Sequence, residues 1–287
     1  MKLSKIQTKN HDQAVKLARK NVLTDDEKEF VLTHWQPGGG SNIQSNKAFF
    51  TPNTIAEAAA QIHGGCGRVV DACAGIGMLA YHMVRWSSGC LKLTCIEQEA
   101  EYVEVGRKIV PEATWVCGCV LEQLPKLGPF DSGISNPPYG KLVTAEEARN
   151  QDNDFIGKHD ELTAFQARHF PGSFHMRVAE ALLQNTHQGA IMVMPKGCDS
   201  EADLCYQDVK GGRHSLARPG PDYLKFKELY PEADISPTSI DMAYLKELMD
   251  AAGESWKGTN IDVRIVDLAP NTYPNPYLNA KRKNVVK

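Results

Sequence analysis

Arg68-Val-Val-Asp-Ala-Cys-Ala-Gly-Ile-Gly-Met-Leu-Ala80 is the stretch that decides the fold. A β-branched run ends at Asp71, turns through Gly75 and Gly77, and continues as an apolar segment to about Trp86. Strand, glycine turn and helix open a nucleotide-binding α/β unit. Glycine at such a turn lets a ligand come close to the backbone. The spacing is Asp-x-Cys-x-Gly-x-Gly, not the G-x-G-x-x-G of dinucleotide enzymes, which points away from NAD.

Outward from that turn, Leu91 to Ile96 reads as a second strand that ends in Glu97 and Gln98. An acidic residue there, roughly twenty residues beyond a glycine turn, is placed to hold ribose hydroxyls. Glu99 to Val110 reads as a helix, Ala113 to Cys117 as a third strand and Phe130 to Ser135 as a fourth. Phe174 to Asn185 is an amphipathic helix, and Gly189 to Pro195 a fifth strand. Ser239 to Ala252 predicts a late helix and Ile261 to Leu268 a late strand. Strands alternating with helices imply an α/β, Rossmann-like protein with a mostly parallel central sheet and helices on both faces. Residues 1 to 34 add a helical segment, with a capping box in Thr24-Asp-Asp-Glu27. Three parts follow: an N-terminal arm and Gly-rich loop (1–47), a core (48–195), and substrate-side loops with a late helix, a late strand and a basic tail (196–287). The last is a small C-terminal elaboration.

Composition sets outer bounds. The chain has 287 residues, 42% hydrophobic and 23% charged, with a net charge of -3, as a soluble globular protein would. That charge neither advertises nucleic acid nor excludes it, since basic residues can cluster on one face. With no long apolar run and no signal peptide, the reading is a cytoplasmic protein with no membrane contact. The eight cysteines are Cys66, Cys73, Cys90, Cys95, Cys117, Cys119, Cys198 and Cys205. None forms a C-x-x-C pair, so they read as buried thiols in a reducing compartment, and no metal is expected.

The second motif is Asn136-Pro-Pro-Tyr139, directly after the fourth strand. Two prolines remove two backbone donors and stiffen the loop, leaving carbonyls free to accept. Asn136 adds a side-chain acceptor and Tyr139 a flat face for stacking. Such a loop can hold an amino group on a planar ring by its two hydrogens, one at the Asn136 side chain and one at the Pro137 carbonyl; Pro138 keeps the loop rigid. An Asn-Pro turn with a packed Tyr is the plainer reading of the same residues. Upstream, Phe49-Phe50-Thr51-Pro52 precedes a helix from Asn53 to Ile62, with Thr51 as its expected cap and Pro52 at its first position.

Taken in order, Phe-Phe-Thr-Pro, the Asp71 to Gly77 turn, Glu97 and Asn-Pro-Pro-Tyr resemble the S-adenosylmethionine-dependent DNA adenine-N6 methyltransferases of the gamma motif order. The resemblance covers about residues 48 to 195. It implies that Asp71, Ala72, Cys73, Gly75 and Gly77 line the methionine part of S-adenosylmethionine. Phe50, Thr51 and Pro52 would close that side, and Glu97 with Gln98 would hold the ribose. Asn136, Pro137, Pro138 and Tyr139 would form the catalytic loop, with Tyr139 stacking on a flipped base. The family usually places an Asp after the third strand against the cofactor adenine; here Cys119 stands there. Beyond Pro195 the resemblance fades, and Lys141, Lys196 and Arg213 are the candidate DNA contacts. An RNA adenine or protein glutamine methyltransferase would use the same loop, although the Thr-Pro element favours adenine enzymes. A catalytically weak cofactor- or DNA-binding homologue is the remaining alternative.

Overall fold

The structure is a computed structural model that describes residues 5–35, 50–87, 89–139, 169–170, 173–200, 206–207, 213–214, 219–254 and 263–269. Parallel strands β1 (Gly67–Ala72), β2 (Leu91–Glu97), β3 (Thr114–Cys117), β4 (Ser132–Ser135) and β5 (Ala190–Pro195) lie in the order β3-β2-β1-β4-β5. A short hairpin of β6 (Tyr206–Gln207) and β7 (Arg213–His214) stands apart. The main sheet is completed by β9 (Val263–Ala269), antiparallel to β5, and β8 (Asp234–Pro237), antiparallel to β9. It therefore has seven strands and is mostly parallel.

Successive strand residues point to opposite faces, and here both faces are apolar. Val69, Ile191, Val193 and Ile265 join one core; Val70, Met192, Met194 and Val266 join the other. The first core is covered by α3 (Asn53–His63), α4 (Met78–Trp86) and α5 (Ala100–Ile109). The second is covered by α6 (Val120–Leu127), α7 (Phe174–Asn185) and α8 (Pro221–Leu229). Burial on both faces is why β5, Ala-Ile-Met-Val-Met-Pro, reads as a continuous apolar run.

The N-terminal segment is two helices, α1 (Lys5–Ala18) and α2 (Asp25–His34), and their Ala14, Ala18, Val31 and Leu32 pack into the first core. The capping box of α2 is formed: Thr24 Oγ1 accepts from the Glu27 amide at 3.3 Å, and Glu27 Oε2 accepts from the Thr24 amide at 3.1 Å. The late helix is α9 (Met242–Ala251), also on the first core. No helix among the described residues is long and apolar enough to cross a membrane.

The structure differs from the sequence reading in several places. Pro52, not Thr51, occupies the cap position of α3, and no side chain caps it there. The Thr54 amide instead donates to Glu254 Oε2 at 3.0 Å, a carboxylate beyond α9. The thiols are not uniformly buried. Cys66 and Cys90 are exposed where β1 and β2 begin, and Cys117 is exposed at the end of β3, while Cys95, Cys119 and Cys198 are buried. Cys205 lies outside the described residues. Helices α6 and α8 and strand β8 went unread.

Gly106 of α5 rests on the indole of Trp115 in β3. A Cβ at Gly106 would stand 2.2 Å from Trp115 Cη2 and 2.5 Å from Cζ2. The indole is buried, and its Nε1–H donates to the Val110 carbonyl at 3.1 Å, so it has little room to yield. Glycine in a helix costs about 1 kcal/mol relative to alanine, whereas forcing a methyl into a packed core costs about 1–3 kcal/mol. The clash wins. Gly106→Ala should lower the urea midpoint of unfolding, and a midpoint equal to or above wild type would show that the sheet edge can yield.

Candidate active site at the carboxyl ends of β1, β2 and β4

β1 and β4 are adjacent and parallel, so the glycine turn and the Asn-Pro-Pro-Tyr loop leave the sheet side by side. Ligands in open α/β sheets bind in the crevice outside the carboxyl ends of the strands. The turn is built on positive φ: Cys73 at 67°, Gly75 at 57° and Gly77 at 96°. Cys73 is the exception, since residues with a Cβ enter this region only under constraint. Where a Cβ of Gly75 would stand, the Phe50 ring lies 3.1 Å away, and for Gly77 the Trp115 ring lies 3.2 Å away. Phe50 is itself held by Trp35, stacked at 5.8 Å, and by Tyr102, edge-on at 5.4 Å. The turn is thus roofed by aromatic rings on this side.

Glu97 ends β2 and clamps the turn from below. Its Oε2 accepts from the Gly75 amide at 2.8 Å, and its Oε1 from the Glu99 amide at 2.9 Å. Each oxygen retains lone-pair capacity for a further donor. Burial pushes the Glu97 carboxyl up, while the amides of Glu99, Gly75 and Gln98 oppose the shift. Gln98 is exposed beside it, and its carbonyl accepts from the Cys117 thiol at 3.5 Å.

Asp71 is fully buried, and among the described residues neither carboxylate oxygen makes a well-formed hydrogen bond. Burial first, and the Glu97 charge second, push its carboxyl up to about 8, with partial relief from the Ala80 amide in the first turn of α4. Ala72 is also fully buried. Cys119 takes the cap position of α6 without a side-chain cap hydrogen bond, and its carbonyl accepts from the Glu122 amide at 3.1 Å. Its thiol is buried, and burial raises its pKa.

The catalytic candidates converge on one contact set. Asn136 Nδ2 donates to Thr51 Oγ1 at 2.9 Å, and Asn136 Oδ1 accepts from the Tyr139 hydroxyl at 2.8 Å. Thr51, absent from the helix cap, is therefore engaged with the loop 85 residues downstream. The Tyr139 hydroxyl also reaches the Val193 carbonyl of β5 at 3.1 Å, and its ring meets His175 edge-on at 5.7 Å. Pro137 is buried and Pro138 exposed. Lys196 follows β5 and lines a cleft of about 320 Å³ with Thr238, Asp241 and Arg264. Arg213 lies on β7, in a separate two-stranded sheet, and Lys141 lies outside the described residues. The sequence reading missed His175, whose only signal was a histidine in the first turn of an apolar helix.

No family model matches the sequence, and no curated protein does. Solved structures do share the fold. One is the methyltransferase subunit of a type I restriction-modification system from Streptococcus thermophilus, with TM-score 0.51 and 14% identity over 87% of this chain and 49% of that one. Another, from Listeria monocytogenes, is assigned to the class I S-adenosylmethionine-dependent methyltransferases, with TM-score 0.51 and 13% identity over 92% of this chain and 73% of that one. The chain spans about half the length of the Streptococcus subunit. The fold is that of the class I methyltransferases.

Asp71 makes stability depend on pH. In the folded chain it keeps its proton to about pH 8, against 3.8 as the ordinary value. The folded state then binds more protons than the unfolded one across that interval, so this contribution is complete below the lower value and lost as pH rises through the upper. His63, His82 and His175, lowered to about 4 by burial, act in the opposite sense, and equally in a variant at position 71. Asp71→Asn should therefore gain stability relative to wild type between about pH 5 and about pH 8 in urea titrations. A constant difference across that range would mean that Asp71 is ionised in the fold.

Proposed function

We propose that this chain binds S-adenosylmethionine and transfers its methyl group to the N6 amine of adenine in DNA. The observation that carries the reading is Asn136, held between Thr51 and Tyr139 beside the glycine turn. An amide fixed from both ends is a preorganised acceptor. Its Oδ1 receives the Tyr139 hydroxyl and keeps a second lone pair for an incoming N–H.

The site suits the cofactor in kind. Glu97 offers acceptors for ribose hydroxyls, and the Asp71 carboxyl, buried without a well-formed hydrogen bond among the described residues, suits a ligand that carries an ammonium group. Phe50, Thr51, Pro52, Ala72, Cys73, Gly75, Gly77 and Gln98 complete the proposed cofactor site. Cys119 stands where an Asp would serve the adenine ring. When bound, S-adenosylmethionine supplies an electrophilic methyl group on a sulfonium.

The chain's own residues do the rest. The N6 lone pair of adenine is delocalised into its ring, which makes the amine a poor nucleophile. Accepting one hydrogen at Asn136 Oδ1 and the other at the Pro137 carbonyl draws the nitrogen towards a tetrahedral shape. These contacts strengthen as the nitrogen becomes positive, so they lower the barrier rather than merely binding the substrate. The base leaves the duplex first, at a cost of a few kcal/mol, and the Tyr139 ring stacks on it. Lys196, with Lys141 and Arg213, is proposed to meet the phosphate backbone.

Labelled S-adenosylmethionine offered with DNA, RNA or protein identifies the acceptor; label in DNA at adenine is expected, and label in another polymer alone would overturn the DNA assignment. In single-turnover assays Asn136→Ala should cost about a hundredfold in rate with cofactor affinity unchanged. Thr51→Val, which frees the amide to turn and alters one wall of the proposed cofactor site, should cost on the order of tenfold. Tyr139→Phe keeps the stacking face and should remain well above Tyr139→Ala. A wild-type rate in Asn136→Ala would sink the mechanism.

A further inference from the structure

Directly behind Tyr139 lie three residues that the mechanism does not use. His175 sits in the first turn of α7, Cys198 in the turn after β5, and Asp222 in the first turn of α8. Their potential ligand atoms all lie within 4.8 Å of one another. We propose that His175, Cys198 and Asp222 form a zinc-binding site that ties α7, α8 and the β5 turn together behind the substrate loop.

The geometry supports the assignment. His175 Nε2 stands 3.4 Å from Cys198 Sγ. Ligands at about 2.05 and 2.3 Å from a tetrahedral zinc stand about 3.5 Å apart, so these two atoms already span the cation. Both residues are buried, at 7% and 6% exposure. The Ser173 hydroxyl donates to Asp222 Oδ2, which leaves Oδ1 to coordinate. His175 Nδ1 is buried without a hydrogen-bond partner among the described residues. With the ring proton on Nδ1, Nε2 presents its lone pair towards the thiol, where a metal would sit.

The chemistry also selects the ion. Thiolate and imidazole favour zinc over magnesium or calcium. An imidazole ligates in its neutral form, and a thiol gives up its proton on binding zinc. Thiolate and carboxylate together match the two charges of zinc. The adjacent Asp199 does not upset this balance, because Arg264 Nη1 pairs with it at 3.2 Å. Three protein ligands leave the fourth position to water. Since His175 meets the Tyr139 ring edge-on, a metal holding the imidazole would also fix one wall of the base pocket.

The test uses the full chain, stripped with a chelator and titrated with Co(II), and needs no methyl transfer. Stoichiometric binding with a thiolate-to-cobalt charge-transfer band and tetrahedral d–d bands is expected, displaced by zinc. Cys198→Ser should abolish the charge-transfer band. Asp222→Asn, which keeps an acceptor for Ser173, should fold as judged by circular dichroism and weaken Co(II) by at least about tenfold. Three results would overturn the site: no band in wild type, unchanged affinity in Asp222→Asn, or a band that survives Cys198→Ser and vanishes in a Cys66→Ser/Cys90→Ser double variant. The last would assign the cation to the exposed thiols, and the first would leave a hydrogen-bonded Cys198–His175 pair. Loss of methylation with the band intact would count against the proposed function and not against the metal.

Discussion

Ser135 donates its buried hydroxyl to the Ala72 carbonyl, where β4 runs parallel to β1. The register sets Asp71 against Ile134 and Ala72 against Ser135, so the two strands end together. One residue further on, each chain enters its chemistry: Cys73 begins the glycine turn, and Asn136 begins the proline loop. A slip by one residue would turn every side chain of β4 to the other face of the sheet. Both faces are packed, and Gly133 makes the register strict, since a Cβ there would stand 2.8 Å from Leu182 Cδ2. The juxtaposition of turn and loop is therefore a consequence of core packing.

The crevice this creates is electrostatically unbalanced. Asp71 and Glu97 lie close enough to raise the Asp71 pKa, and no cation is among the causes of either shift. Burying an ionised carboxylate without a partner is expensive, and the usual escape is to keep the proton. The fold accepts this at Asp71 and instead ties Glu97 down with the backbone amides of Gly75 and Glu99. Two neighbouring carboxyls whose pKa values are both raised by burial are a frequent mark of a functional site. A ligand that brings positive charge and hydroxyl donors would relieve both.

Sequence periodicity and turn chemistry were enough to place β1, β2, β4, β5, α4, α5 and α7, because each carries a local signal that burial on both sheet faces then reinforces. What the chain hides locally stayed hidden. Helix α6 sets Val120, Leu121, Leu124 and Leu127 at helical spacing but has only eight residues with Pro125 inside, and Asp234-Ile-Ser-Pro237 offers a single large apolar residue, so both are too short or too broken to read. The cap of α3 illustrates the limit best. Thr51 followed by Pro52 is a sound local signal, but Glu254, 200 residues away, satisfies the helix and releases Thr51 to Asn136. Long-range polar contacts of this kind leave no trace in spacing. The same holds for His175 and Cys198, 23 residues apart and brought together only by the crossover from α7 to β5.

Tyr139 shows how the site residues are held in advance of any ligand. Its hydroxyl is shared between Asn136 Oδ1 and the Val193 carbonyl, so the ring plane is set by the loop and by β5 together. His175 then fixes the ring edge. A tyrosine that hung free would lose rotamer entropy on capturing a base; one already immobilised has lost it on folding. The hydroxyl that aligns the ring also reaches the Asn136 amide, the acceptor proposed for the amine. Stacking and acceptance are thereby coupled through a single oxygen: moving the ring would release Asn136, and turning Asn136 would release the ring. That coupling favours one geometry of ring and amide over many, which is what the proposed reaction, lacking a strong base, would require of its acceptors.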